Sequence, residues 1–490
     1  MSKEISENES RSLSAGASYG LKHQVLSPLE VLGQSIANIA PTATPTVVIP
    51  LVFASAGNAT WAAYLFALVG ILLVSLNINV FARRSASPGS LYTYISSSLG
   101  SAWGIAIGWT LFVAYVTCAS SVTTGFTSYA NVLIKDLFGR TQDLPPLVLV
   151  GILTASVLGA WLVAYKDIRL STRLMLGFEL VSVAFIVVVV AATLLHGGPH
   201  LDWNQLSFKG VSLNGLRLGL VLAIFSFTGF ESATALGSEA QTPLKTVPRA
   251  VRRSAIFVGL LFVVAAYAQV LGFSGNEVPL DKSDAPLQVL AVKSGIPVFG
   301  VLITVGAIIS FFACVLASIT AGGRILFLMS RHGVFHESIG GAHKKNETPH
   351  VAVTIAALLA FVPAAILTGF GANLFSIYGW IGTTATLSFI VAYIAVSVAA
   401  PVYLHRRGEL RFGNIFVALA SVILQLFVLI WATYPLPAAP DSYPIYAFLG
   451  LLALGIVAGF VIRFGSARVH GLITDDVAAI QKRFASSSEI

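Results

Sequence analysis

A chain of 490 residues that is 56% hydrophobic and 10% charged, with a mean hydropathy of +0.84, is excluded from the water-soluble globular class, because soluble domains carry about 25% charged residues. The formal net charge of +8 raises nucleic acid as a partner, but the positions of the charges argue against it. No zinc-ligand spacing, Walker loop, GxSxG or HExxH occurs, so the chain reads as no enzyme, with no cofactor, no metal centre and no catalytic residues of its own.

Residues 1–24 are polar and lack the apolar stretch and small-residue cleavage site of a signal peptide, so the first span is expected to serve as targeting signal. Twelve apolar segments follow, at roughly 28–55, 59–82, 101–134, 145–164, 174–195, 215–238, 252–273, 295–323, 350–369, 373–400, 412–432 and 443–463. Each can cross a hydrocarbon core of about 30 Å. The expected fold class is therefore an all-α polytopic membrane protein with 12 transmembrane helices. With the N-terminus in the cytoplasm, 23 Lys and Arg residues fall on that side and 6 on the other. The positive-inside rule then places both termini in the cytoplasm and the chain in the cytoplasmic membrane, with the lipid bilayer as its partner rather than nucleic acid.

In chain order, the first span opens after Ser27-Pro28, with Glu30 in its first turn, where an acid suits the helix dipole. Ten residues in, Ala40-Pro41-Thr42-Ala43-Thr44-Pro45-Thr46 carries two prolines four apart. They remove donors and clash with the preceding turn, so the helix is expected to unwind here. Arg83-Arg84 closes the second span, and Pro88-Gly89-Ser90-Leu91-Tyr92 leads toward the third. That span is rich in Ser and Thr, which suit close helix contacts. Span five contains Glu179, read either as a near-interface partner of Arg173 or as a coupling or gating acid.

Span six holds Phe225-Ser226-Phe227-Thr228-Gly229-Phe230-Glu231. An ionisable residue at mid-span costs roughly 2.5–3.5 kcal/mol and usually marks a function, and a glycine there weakens the helix. Glu239 to Ala250 reads as a basic loop, and Gly322-Gly323-Arg324 ends the eighth span. Span ten carries Tyr378-Gly379-Trp380, and Cys118 and Cys314 read as small core residues. The breaks in spans one and six lie at matching depths, about 185 residues apart. Interrupted helices at matching places point to an inverted-repeat secondary transporter, with spans 1–5 and 6–10 as the repeats.

Four motifs resemble the amino acid–polyamine–organocation superfamily: the 225–233 stretch, Glu239 through Arg249, Pro88 to Tyr92, and Arg324 through Pro349. The resemblance implies the LeuT-type 5+5 inverted repeat with broken helices 1 and 6. Its domain plan is a cytoplasmic tail at 1–24, a ten-helix core at 25–400, helices 11 and 12 at 401–466, and a cytoplasmic tail at 467–490. It implies secondary transport of amino acids or related organic amines, by proton-coupled symport or exchange. A polyamine carrier, or a sensor or channel on the same fold, is the alternative. By resemblance, the substrate carboxylate meets amides of Ala43, Thr44 and Thr46, and the ammonium meets carbonyls near Phe225, Ser226 and Thr228. Ala40, Pro41, Gly229 and Tyr378 complete the expected substrate site, and Glu231 and Glu179 are the expected coupling or gating acids. Departures stand in helix one, where Pro45 removes an amide, and near Ser182, where some members carry a lysine. Substrate identity and oligomeric state stay open.

Overall fold

The computed structural model describes residues 19–196, 201–283 and 285–485. Most of the expected N-terminal tail (1–18) and the last five residues of the expected C-terminal tail lie outside it. Among the described residues the chain is helical, and its one β-type pairing is an isolated bridge between Leu26 and Ala240.

The entry helix α1 (Pro28–Ile39) starts in a capping box, in which Ser27 accepts from the Glu30 amide and Glu30 reaches back to the Ser27 amide. A π-helical turn at Thr44–Val48 separates it from α2 (Ile49–Ala56). After Gly57 (φ +52) come α3 (Thr60–Ala82), the short α4 (Leu91–Leu99), α5 (Ser101–Phe138), α6 (Pro146–Lys166) and α7 (Ile168–Leu195). The second half runs through α8 (Leu213–Phe225), a 3-10 turn at Ser232–Leu236, α9 (Pro243–Phe273), α10 (Pro286–Lys293), α11 (Val298–Arg331), α12 (His350–Gly369) and α13 (Leu374–Arg406). The chain closes with α14 (Phe412–Thr433), α15 (Tyr443–Gly465) and α16 (Ala467–Ala485).

Ten helical stretches among the described residues are long and apolar enough to cross a membrane, the first of them the 55 residues Pro28–Ala82. Burial separates centre from edge. The most apolar window of α5 is 89% buried inside the protein, whereas those of α14 and α15 are 22% buried. Their outward faces carry Phe416, Ile423, Val457 and Phe464, as expected where lipid is the solvent. Helix α5 packs against α11 and α13, and this central group positions the site.

The structure extends several expected spans. Span eight does not stop near Gly323 but runs on to Arg331, so Arg324 lies within α11 rather than at its end. The expected C-terminal tail is largely helical, with α16 folded back so that His470 accepts a hydrogen bond from, or donates one to, Ser101 at 2.9 Å.

Candidate functional site

Two interruptions meet at the centre. The first begins at Ala40, in the left-handed region at φ +51, with its amide bonded to the Ala37 carbonyl. Pro41 has no donor to continue the ladder. The Ala43 amide donates to the Ala40 carbonyl at 3.0 Å and the Thr46 amide to the Thr42 carbonyl at 3.3 Å. Two of the three amides expected to meet a carboxylate are therefore engaged internally in this conformation. The Thr46 hydroxyl donates to the Thr42 and Ala43 carbonyls, and Gln269 Nε2 donates to the Pro45 carbonyl at 2.8 Å. Side chains thus take up carbonyls within the interrupted stretch.

The second interruption follows Phe225. Ser226 and Phe227 close tight turns onto Ala223 and Ile224, and Gly229 turns the chain at φ +85. Only glycine fits there: a β-carbon would stand 1.7 Å from the Asn38 amide nitrogen. The Gly229 amide donates to the Tyr393 hydroxyl at 2.9 Å. Asn38 in turn accepts from Ser318 at 3.0 Å, which fastens both breaks to α11.

Between the breaks lies a small cavity of about 40 Å³. Asn38, Ala40, Ala43 and Thr44 line it from the first interruption, and Phe225, Ser226 and Thr228 from the second. Cys118 and Ser121 come from α5, Cys314 from α11 and Tyr378 from α13. A water molecule takes about 30 Å³ in the liquid, so this conformation has room for little more than one water. The Phe225 and Tyr378 rings meet edge to face at 6.4 Å, and Ser121 donates to the Tyr378 carbonyl at 2.7 Å. Of the expected substrate residues, Ala40, Ala43, Thr44, Phe225, Ser226, Thr228 and Tyr378 line the cavity. Pro41, Thr46 and Gly229 shape the breaks without lining it. Phe227 and Phe230 pack behind it, fully buried, and Trp380 turns away to Asp441 at 2.8 Å.

Glu231 is fully buried beside the second break, where its carboxyl oxygens accept from Tyr115 at 2.7 Å and from Tyr393 at 2.5 Å. These donors satisfy a group whose burial alone would be costly. Glu179 accepts from Ser310 at 3.0 Å and from Ser182 at 3.3 Å. Its expected pairing with Arg173 is not formed. Arg173 instead pairs with Glu30 at 2.8 Å, because α1 packs against α7 at the end where both residues sit. The expected reading of Glu239 as a loop charge and of Arg324 as the end of a span is also corrected. They form a bidentate ion pair at 2.7 and 2.8 Å, with side chains 0% and 1% exposed.

Sequence reading missed Asn38, Ser121, Tyr115 and Tyr393, and it placed the two cysteines in the core without joining them. Both thiols face the cavity, and Cys314 donates to the Asn38 carbonyl at 3.3 Å. None of the lining residues is an acid or a base. Among the described residues, no group of three or more His, Cys, Asp or Glu side chains is placed to hold a metal ion.

A multi-pass helical membrane protein with two interrupted helices around a small central cavity is the class that this architecture defines. Comparison with known proteins then places it. The amino acid permease family profile matches residues 30–467, and the chain belongs to that family. It is 24% identical over 322 residues to the branched-chain amino acid permease BcaP of Bacillus subtilis (strain 168), covering 62% of this chain and 68% of that one. It is 27% identical to the low-affinity putrescine importer PlaP of Escherichia coli (strain K12), covering 63% and 69%. The methylthioribose transporter of Bacillus subtilis (strain 168) is 24% identical, over 85% and 88% of the two chains. A crystal structure of a mutant manganese transporter from Eremococcus coleocola shares the fold, with a TM-score of 0.58 at 14% identity over 90% of this chain and 98% of that one.

Proposed function

We propose that the chain is a secondary transporter that moves an amino acid or a related amine across the cytoplasmic membrane by alternating access. Family membership and transporter relatives support the activity. One observation carries the mechanism: the two interrupted helices contribute facing walls to a single small cavity. Interrupted helices bring unpaired N–H and C=O groups to mid-membrane depth, where they can meet a carboxylate and an ammonium. The lining offers amide, hydroxyl, thiol and aromatic groups without net charge, which suits a substrate that is neutral overall. A second ammonium would have no carboxylate at the cavity wall, and an unpaired buried charge is strongly disfavoured.

Twelve crossings and a five-plus-five repeat belong to this reading. The 55-residue stretch Pro28–Ala82 turns at Gly57, so it supplies two crossings, and α8 with the turn at Ser232–Leu236 supplies the broken sixth. The repeats and peripheral helices then follow the 25–400 and 401–466 division, with both termini in the cytoplasm. Glu231 is the coupling acid: its hydrogen bonds to Tyr115 and Tyr393 join the second break to α5 and α13, and a change in its protonation would loosen that joint.

Counterflow in liposomes tests the reading. Unlabelled neutral amino acid on the trans side should accelerate uptake of the labelled compound, and Glu231→Gln should remove the pH dependence of uptake while leaving the protein folded. Absence of trans acceleration by every amino acid and amine tried would reject a carrier. Unaltered pH-dependent uptake by the Gln variant would reject the role of Glu231.

A further inference from the structure

A second cavity, of about 990 Å³, lies at the arginine-bearing end of α3, where α3 meets the α13–α14 turn and the start of α14. It shares no lining residue with the central cavity. Its volume falls in the range that accommodates a ligand of several hundred daltons. Its walls divide by chemistry. Leu76, Val80, Leu404, Leu410 and Val417 make an apolar side, and Arg83, Arg84 and Arg411 make a cationic one.

The charges do not cancel within the protein. Glu409 is the one acid in the wall, and it is committed to Arg84 at 2.6 Å and to Arg407 at 2.9 Å. Arg83 and Arg411 are exposed and form no ion pair among the described residues. Helix α14, 22 residues long, begins at the cavity, with Gly413 and Asn414 in its wall. A helix start carries partial positive charge and free amides, so it adds to the two guanidinium groups. Asn79 stands in the same wall, 3% exposed, with neither amide atom hydrogen-bonded. A buried amide left without partners is costly unless something completes it.

We propose that this cavity is a binding site for one anionic phospholipid, with its phosphate held by Arg83 and Arg411 at the start of α14 and its first acyl carbons against the apolar wall. Arginine suits the phosphate because its planar fork can donate two bonds to two oxygens. An anionic head joined to an apolar chain satisfies both walls at once, and a free phosphate satisfies only one. A lipid here would join α3 to the α13–α14 turn and hold α14 against the rest of the helices.

The test uses the purified full chain in detergent, with bound lipid counted by native mass spectrometry. One phosphatidylglycerol per chain should be retained under conditions that strip phosphatidylcholine. The double variant Arg83→Gln/Arg411→Gln should weaken phosphatidylglycerol about 30-fold, the effect of two basic residues at a membrane surface. Its helix content and its melting in phosphatidylcholine should match the wild type. Soluble glycerol phosphate, added as the headgroup alone, should leave the lipid in place. Equal retention of the two lipids, an undiminished preference in the double variant, or displacement by glycerol phosphate would each overturn the proposal, the last by making the occupant a free organic phosphate.

Discussion

Gly229 and Asn38 touch across the two helix breaks, with the glycine's missing side chain filled by the asparagine amide. A β-carbon at Gly229 would approach Asn38 Nδ2 to 1.7 Å, on a backbone already at φ +85. The contact sets the spacing of the two breaks and therefore the width of the cavity. Gly229→Ala should lower apparent stability by about 1–3 kcal/mol from backbone strain alone, with the clash in addition. Adding Asn38→Ala should recover the clash and leave the strain. Thermal scans of the wild type and the two variants in detergent check this, and a Gly229→Ala variant as stable as wild type would remove the contact's structural importance.

The Arg324–Glu239 pair is sealed from solvent, and Arg324 also donates to the Thr320 carbonyl at 3.0 Å. Removing one partner of such a pair leaves an uncompensated buried charge and costs about 3–5 kcal/mol, whereas replacing both by apolar groups is often neutral. Glu239→Gln should therefore destabilise the protein severely, and Glu239→Leu/Arg324→Met should restore much of the loss. Equal stability of the single and double variants would mean that the pair does not behave as a buried one.

The two cysteines of the chain both line the central cavity, so a small thiol reagent reports on that cavity and on nothing else in the protein. Methyl methanethiosulfonate should inhibit uptake in the wild type and leave Cys118→Ser/Cys314→Ser untouched. Labelling should slow when a transported substrate is present. Uptake that persists after both thiols are modified would separate the cavity from the transport path.

Asp167 caps α7 and binds Lys22 at 2.5 Å, tying the segment 19–27 to the turn between α6 and α7. Burial works against its charge, but the Lys22 bond and the amides of Arg169 and Leu170 outweigh it and hold the carboxyl below its ordinary value of 3.8. A depressed folded value means that the attachment is fully present above about pH 4 and is lost as pH falls through the lower folded value. Hydrogen exchange of residues 19–27 should separate wild type from Asp167→Asn most clearly above that pH. The difference should close in acid, and a difference that grows in acid would reverse the sign assigned here.

The two helix breaks could be read from the chain because their residues are local. Pro41, Pro45 and Gly229 interrupt helices by their own covalent limits, whereas Thr44, Phe225 and Ser226, which line the cavity, were named by the family resemblance. Tyr115 and Tyr393 could not be found that way: each is an ordinary aromatic within an apolar helix, 116 and 162 residues from the acid it binds. The partner of Arg173 was misread for the same reason. Glu179 is near in sequence, but Glu30 is the acid that helix packing brings to it. Arg324 did leave a signal, since apolar residues continue on its far side through Ile325, Leu326, Phe327 and Leu328. A span extended through the arginine would have placed the charge inside and called for an acid to meet it.

The small volume of the central cavity has an osmotic consequence. About 40 Å³ cannot contain an amino acid, so any conformation that admits one must also draw water in from the exposed side. Solutes too large to follow and excluded from the protein surface shift such an equilibrium toward the drier form. Concentrated sucrose should therefore slow thiol labelling in the cavity without touching the chemistry of the reagent, and the size of that slowing would count the water that opening requires.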